Sequence, residues 1–229
     1  MINLTESTMQ HDSIVSSSQS QALEVNKVLR NTYMLLSMSL GFSAVMAAIS
    51  MAVGAPRGAG MICSIAALAI IWLVIPRTAN SEKGIFAVFA FTGLLGFGLG
   101  PMLNAYMQLQ NGPALITQAL GGTAVVFLSL SAYALVSKKD FSFMGGFLMV
   151  GMIVILIAAI ANIFFAVPAL SLAVSAGIIF LMSGFILFDT SRIIHGGERN
   201  YILATVSLYL SIYNIFVNLL ALLGVMGDD

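Results

Sequence analysis

Few side chains in this sequence could do chemistry, and one stands apart. Asp189 follows Gly184-Phe185-Ile186-Leu187-Phe188 and is the carboxylate placed well inside an apolar run. An ionisable group at that depth is costly, which makes it a functional candidate by default. Arg192 lies three residues on, on the same helical face, where it could pair with the carboxylate near the interface. Two roles stay open for Asp189: half of a structural pair, or a proton or ion sensor. Further along, Ser207, Ser211, Asn214 and Asn218 recur at helical spacing as one polar stripe, flanked by Tyr209 and Tyr213. A stripe of hydroxyls and amides facing lipid would be expensive, so this face should look inward. There it would either hydrogen-bond between helices or line a polar path.

Catalysis has little else to work with. The two histidines are His11, near the start, and His195, between apolar runs, so no span carries a base for an intramembrane serine. No His/Glu grouping has metal spacing. Gly121-Gly122 and Gly145-Gly146 are not followed by a phosphate-loop lysine. The lone Cys63 excludes an intrachain disulfide and a cysteine metal cluster, and reads as a small packing residue. The expectation is a protein that is not an enzyme and carries no cofactor or metal. Gly93, Gly96 and Gly100 recur on one helical face, followed by Pro101 and Asn104. That pattern reads as close helix packing, with Pro101 kinking or breaking its helix.

The elements that must position these residues are apolar and long. Charged residues make up 8% of the 229, against about 25% in an average soluble protein, too few to cover a water-facing surface. With a net charge of zero, nothing points to a nucleic-acid partner. Apolar runs fall at Tyr33–Val53, Met61–Ile75, Ile85–Met107, Ala114–Val136, Phe143–Phe165, Leu170–Ile194 and Tyr201–Met226. A helix needs about 20 such residues to cross the hydrocarbon core; the second run is short and is expected to extend into its flanking loop. Gly54-Ala55-Pro56, Asn111-Gly112-Pro113, Ala166-Val167-Pro168 and Gly196-Gly197 punctuate the runs. Continuous runs argue for a helical bundle over a barrel, whose strands alternate apolar and polar residues. No internal repeat supports an inverted-repeat transporter.

Residues 1–31 are polar and serine-rich, without the apolar core of a signal peptide. They are expected to form a mobile tail, because they cannot bury enough apolar area to offset their ordering entropy. Residues 32–229 form the seven-helix transmembrane domain. With seven spans, the tail and the even-numbered loops collect Lys27, Arg30, Arg77, Lys83, Lys138, Lys139, Arg192 and Arg199, leaving Arg57 on the other side. Cytoplasmic loops gather Lys and Arg, so the N-terminus is expected in the cytoplasm and Gly227-Asp228-Asp229 outside.

Several strings resemble one family. Gly98-Leu99-Gly100-Pro101-Met102-Leu103-Asn104 is similar to the signature of the Bax inhibitor-1 family. So is the pairing of Phe188-Asp189-Thr190-Ser191-Arg192-Ile193 with Ser207-Leu208-Tyr209-Leu210-Ser211-Ile212-Tyr213-Asn214-Ile215-Phe216. The resemblance covers nearly all the chain after the tail. It is nearest to a bacterial branch of the inner membrane, on Ile14-Val15-Ser16-Ser17-Ser18, Lys27-Val28-Leu29-Arg30-Asn31-Thr32-Tyr33, Phe91-Thr92-Gly93, Ala161-Asn162-Ile163-Phe164 and Ile194-His195-Gly196-Gly197-Glu198.

The resemblance implies a seven-helix bundle with the last helix in the middle. It also implies a partner, the membrane-anchored AAA protease FtsH, which supplies its own zinc and ATP. The chain would bind that protease and restrain it, competing as a slowly extracted substrate whose polar tail serves as the handle. Other family members are pH-sensitive calcium leaks with paired acidic residues on helices six and seven. Asp189 matches the first position. The second falls on Ser211, beside Asn214, and a serine cannot ionise. A calcium, cation or proton leak gated by Asp189 is therefore the alternative.

Overall fold

The structure, a computed structural model, describes the backbone over residues 2–226 and the side chains over residues 23–225. Every described element is helical. α1 spans Ile2–Ala52 and α2 spans Gly58–Ala69; a π-helical stretch, Ile70–Val74, leads into α3, Ile75–Thr78. α4 is Lys83–Met107, α5 Gly112–Ser137, α6 Met144–Phe165, α7 Pro168–Ile194 and α8 Tyr201–Met226. Among the described residues, seven segments are long and apolar enough to cross a membrane. Those from the third to the seventh begin and end within a few residues of the apolar runs read from the sequence.

The first two differ. The helix carrying the first segment does not start near Tyr33: α1 passes without a break through the boundary drawn at residues 31–32. Val28 and Leu29 both pack against the core and, with Tyr33 and Leu36 at helical spacing from Leu29, carry the buried face of α1 back into the polar stretch. Most side chains of the expected mobile tail lie outside the described residues, as does Gly227-Asp228-Asp229. The second segment runs Gly58–Thr78, beyond the expected end at Ile75. Pro76 has no N–H, and its ring crowds the carbonyl four residues back, at Trp72. Trp72 sits in the π stretch, where the Ile75 amide bonds the Ile70 carbonyl instead, so the helix widens and carries on past the proline.

Water-free surroundings change what holds the helices together. Lipid tails are as apolar as leucine, so close packing and hydrogen bonds bind helices here more than hydrophobic burial does. Small residues do this work in α4. A Cβ on Gly93 would meet the Phe42 ring, one on Gly96 the Ser43 carbonyl, and one on Gly100 the Ser50 side chain, so all three glycines face α1. Gly98 lies instead against Cys63 and Gly60 of α2. α4 continues as helix through Pro101, and Asn104 ties it to α1 by donating to the Met51 carbonyl at 3.2 Å.

α8 packs against α1, α4, α5 and α7. Leu208, Tyr209, Ile215 and Leu220 along it are almost wholly enclosed. α6 is the opposite case. It leans on α7, buries Leu148 alone, and turns residues such as Phe147, Ile157 and Phe164 outward. The turn after it closes on Ala166 in the left-handed region (φ 48°), a place that favours glycine. Asn162 clamps that turn by accepting from the Val167 amide at 3.0 Å.

Candidate functional site

The α7–α8 hairpin positions Asp189. Gly196 takes a positive φ of 73°, and the Gly197 and Glu198 amides both donate to the Arg192 carbonyl, at 2.8 and 3.1 Å. These bonds close the end of α7. Asn200 starts α8 by accepting from the amides of Ile202 (2.9 Å) and Leu203 (3.2 Å), the usual work of an N-cap asparagine. Its amide nitrogen donates to the Ala79 carbonyl and the Asn80 side chain, tying this hairpin to the loop before α4. With both ends fixed, Asp189 lies a little over one turn before the end of α7, and Ser207 a little over one turn into α8. The two face each other: the Ser207 hydroxyl donates to Asp189 Oδ2 at 2.5 Å. Asp189 is 7% exposed.

The other residues read from the sequence sit differently. Arg192 forms no ion pair with Asp189. It lies over the Phe188 ring at 5.5 Å and bridges Glu198 at 3.5 Å. The reason is direction: Asp189 points across to α8, whereas the long arginine follows the helix end toward the turn, where its charge stays partly hydrated. Ser211 and Asn214 do not reach Asp189 either. Ser211 is buried, and its hydroxyl donates back to the Ser207 carbonyl at 3.2 Å. Asn214 and Asn218 donate to the carbonyls four residues before them, each at 2.8 Å. These hydrogen bonds of the polar stripe thus fall on its own helix rather than on a neighbour. Each side-chain amide shares the carbonyl one turn back with the helix's own backbone amide, a local bond open to any short polar side chain on a helix.

The interhelical knot is at Tyr209, which the sequence marked only as a flank of the stripe. Its hydroxyl lies 2.6 Å from Ser43 Oγ on α1 and donates to the Thr92 carbonyl on α4 at 3.3 Å. Its ring stacks on Tyr213 and meets Phe91 edge-on. One residue of the last span therefore holds the first and third. Thr92 next to Gly93 was the available signal, because a glycine-lined contact brings backbone carbonyls within reach of a tyrosine. Ser191 does similar work nearer the loops, accepting from the Phe141 amide at 3.0 Å and donating to the Lys139 carbonyl at 3.2 Å.

Chemically the site is one enclosed carboxyl group with one hydroxyl donor. Elsewhere in the bundle the hydroxyls of Thr32, Tyr33, Ser50, Ser131 and Thr190 lie buried without a protein partner. Among the described residues, no three His, Cys, Asp or Glu side chains gather as a metal site.

Comparison with known proteins places these features. The sequence model of the family described as inhibitor of apoptosis-promoting Bax1 matches residues 25–228. A protein of Escherichia coli strain K12 named modulator of FtsH protease YccA is 52% identical over 220 residues, 95% of this chain and 100% of the relative. Its counterpart in Escherichia coli O6:H1, identical to the same degree over the same span, is named inner membrane protein YccA. An uncharacterized membrane protein of Vibrio cholerae is 50% identical over 214 residues, 93% of this chain and 96% of the relative.

Proposed function

This chain belongs to the Bax inhibitor-1 family as a multi-pass inner-membrane protein, and we propose that it binds an FtsH-type membrane protease and restrains it. One observation carries this reading: the 52% identity, over the relative's whole length, to a protein named as a modulator of that protease. We take the N-terminus to be cytoplasmic, a reading supported by the Lys and Arg residues gathered at that end of the chain and in the even-numbered loops. α8 is taken as the central helix, since it packs on four others. The tail acts as a handle for a machine that pulls membrane proteins from their cytoplasmic end. The bundle resists that pull through the α1–α4 glycine contact and the Tyr209 knot. An occupied protease then spares its other substrates.

A second reading is a pH-sensitive calcium or cation leak in which Asp189 titrates beside Ser207, with Ser211 and Asn214 along the path. The burial of Asp189 favours it. The lack of a second carboxylate at Ser211 counts against a coupled pair of sensors.

Affinity purification of the tagged chain from membranes that also contain the protease separates the two. The full chain should retain the protease, and a chain lacking residues 1–20 should not. Failure of the full chain to retain it overturns the first reading.

A further inference from the structure

The end of the bundle richest in Lys and Arg holds a cleft of about 1050 Å³. Its walls come from residues 24–31 in the middle of α1, the end of α5 and the turn from α7 to α8. Lys27, Lys138 and Arg199 reach it from these three elements. The carboxylates that line it are Glu24 and Glu198, and Glu198 is already engaged by Arg192 at 3.5 Å and by the Asn200 amide at 2.9 Å. Among the described residues no carboxylate pairs with Lys27, Lys138 or Arg199, so positive charge is left over even with His195 neutral. Val28, Leu29, Leu135 and Ile194 add apolar wall between the cations, beside the amides of Asn26 and Asn31. Leu135, Lys138, Ile194 and Arg199 lie within three residues of the ends of membrane-length segments.

Lys138 adds a second observation. It closes α5 in the left-handed region, with φ 49° and ψ 24°, where glycine is the easy choice. Among the described residues the other non-glycine in this conformation, Ala166, follows a helix whose Asn162 clamps the turn. Lys138 donates its amide to the Ala134 carbonyl at 3.1 Å, and Ser191 holds the turn beyond it through the Lys139 carbonyl and the Phe141 amide. A lysine kept at a strained position, with its side chain on the cleft, is consistent with a role for that side chain.

We propose that this cleft binds the phosphodiester headgroup of an anionic phospholipid. Lys27, Lys138 and Arg199 meet the phosphate, and Val28, Leu29 and Leu135 meet the first methylenes below it. Basic pockets between membrane helices take such headgroups because the phosphate finds several donors at once in partly dry surroundings. A zwitterionic headgroup brings an ammonium that these cations repel. Free phosphate lacks the apolar part.

The full chain, purified in detergent, is titrated with phosphatidylglycerol, with phosphatidylcholine of the same acyl chains, and with inorganic phosphate, following bound lipid by native mass spectrometry and the melting midpoint. Phosphatidylglycerol should bind and raise the midpoint. Lys27→Gln with Lys138→Gln, both exposed, should weaken it by about tenfold or more. Lys83→Gln with Lys139→Gln, at the same end but off the cleft, should bind like the parent. Arg199→Gln gives an independent reading from the third wall. Equal binding of phosphatidylcholine, equal loss in the off-cleft variant, or a full effect from inorganic phosphate alone would each overturn the assignment.

Discussion

The Ser207 hydroxyl donates to the Asp189 carboxyl at 2.5 Å, joining α7 to α8 just above the turn between them. A hydrogen bond to a charged or enclosed carboxyl is worth more than an ordinary one, and the group it leaves behind is hard to hydrate. Ser207→Ala should therefore destabilise the bundle by about 1.5–3 kcal/mol. Ser207→Thr, which keeps the hydroxyl, should recover most of that loss. Thermal unfolding in a fixed detergent measures both, and an alanine variant that melts like the parent would remove this bond from the account.

Gly96 tests the packing of α1 on α4. A methyl group there meets the Ser43 backbone carbonyl, which cannot swing aside as a side chain could. Gly96→Ala should cost about 1–3 kcal/mol as the helices are pushed apart. Gly121→Ala is the control, because a Cβ there meets nothing within 4 Å and alanine favours the helix.

Tyr209→Phe removes one oxygen and leaves Ser43 Oγ and the Thr92 carbonyl buried without it. The expected loss is about 1–3 kcal/mol with the helical content unchanged. Pairing it with Ser43→Ala should give less than the sum of the two single losses, since both act on one knot. Additive losses would mean that the hydroxyls work independently.

Asp189→Asn separates the two functional readings. The amide oxygen can still accept from Ser207, so the hairpin should stay folded. In proteoliposomes, a leak gated by this carboxyl should lose its pH response, while a protease modulator should be indifferent to the change. Unaltered flux from the variant at every pH leaves the leak reading without its titrating group.

Much of the fold was legible because it follows from composition and length. The apolar runs predicted the seven segments, and the Pro/Gly-rich breaks located most turns. The π stretch before Pro76 was not legible, because it is a backbone answer to a local clash rather than a pattern in residue type. For the site, the sequence picked out Asp189 and offered Arg192 as the partner in one of its two readings. Three residues along one helix bring two Cα positions together, yet a carboxylate and a long guanidinium leave the helix in different directions. Counting back from the hairpin turn would have done better. Asp189 and Ser207 stand at nearly equal distance from the turn, whereas Ser211 lies a further turn into the bundle. The polar stripe on α8 misled in a similar way, because spacing reveals a face but not whether its amides bond across or along the helix.

Turnover of a known substrate of the membrane protease tests the central claim most directly. The substrate's half-life is followed in cells making no added chain, the full chain, or the chain without residues 1–20, with equal amounts of both forms confirmed in the membrane. A longer half-life with the full chain, and the unmodified rate with the truncated one, is the predicted result. The same half-life in all three would contradict protease modulation.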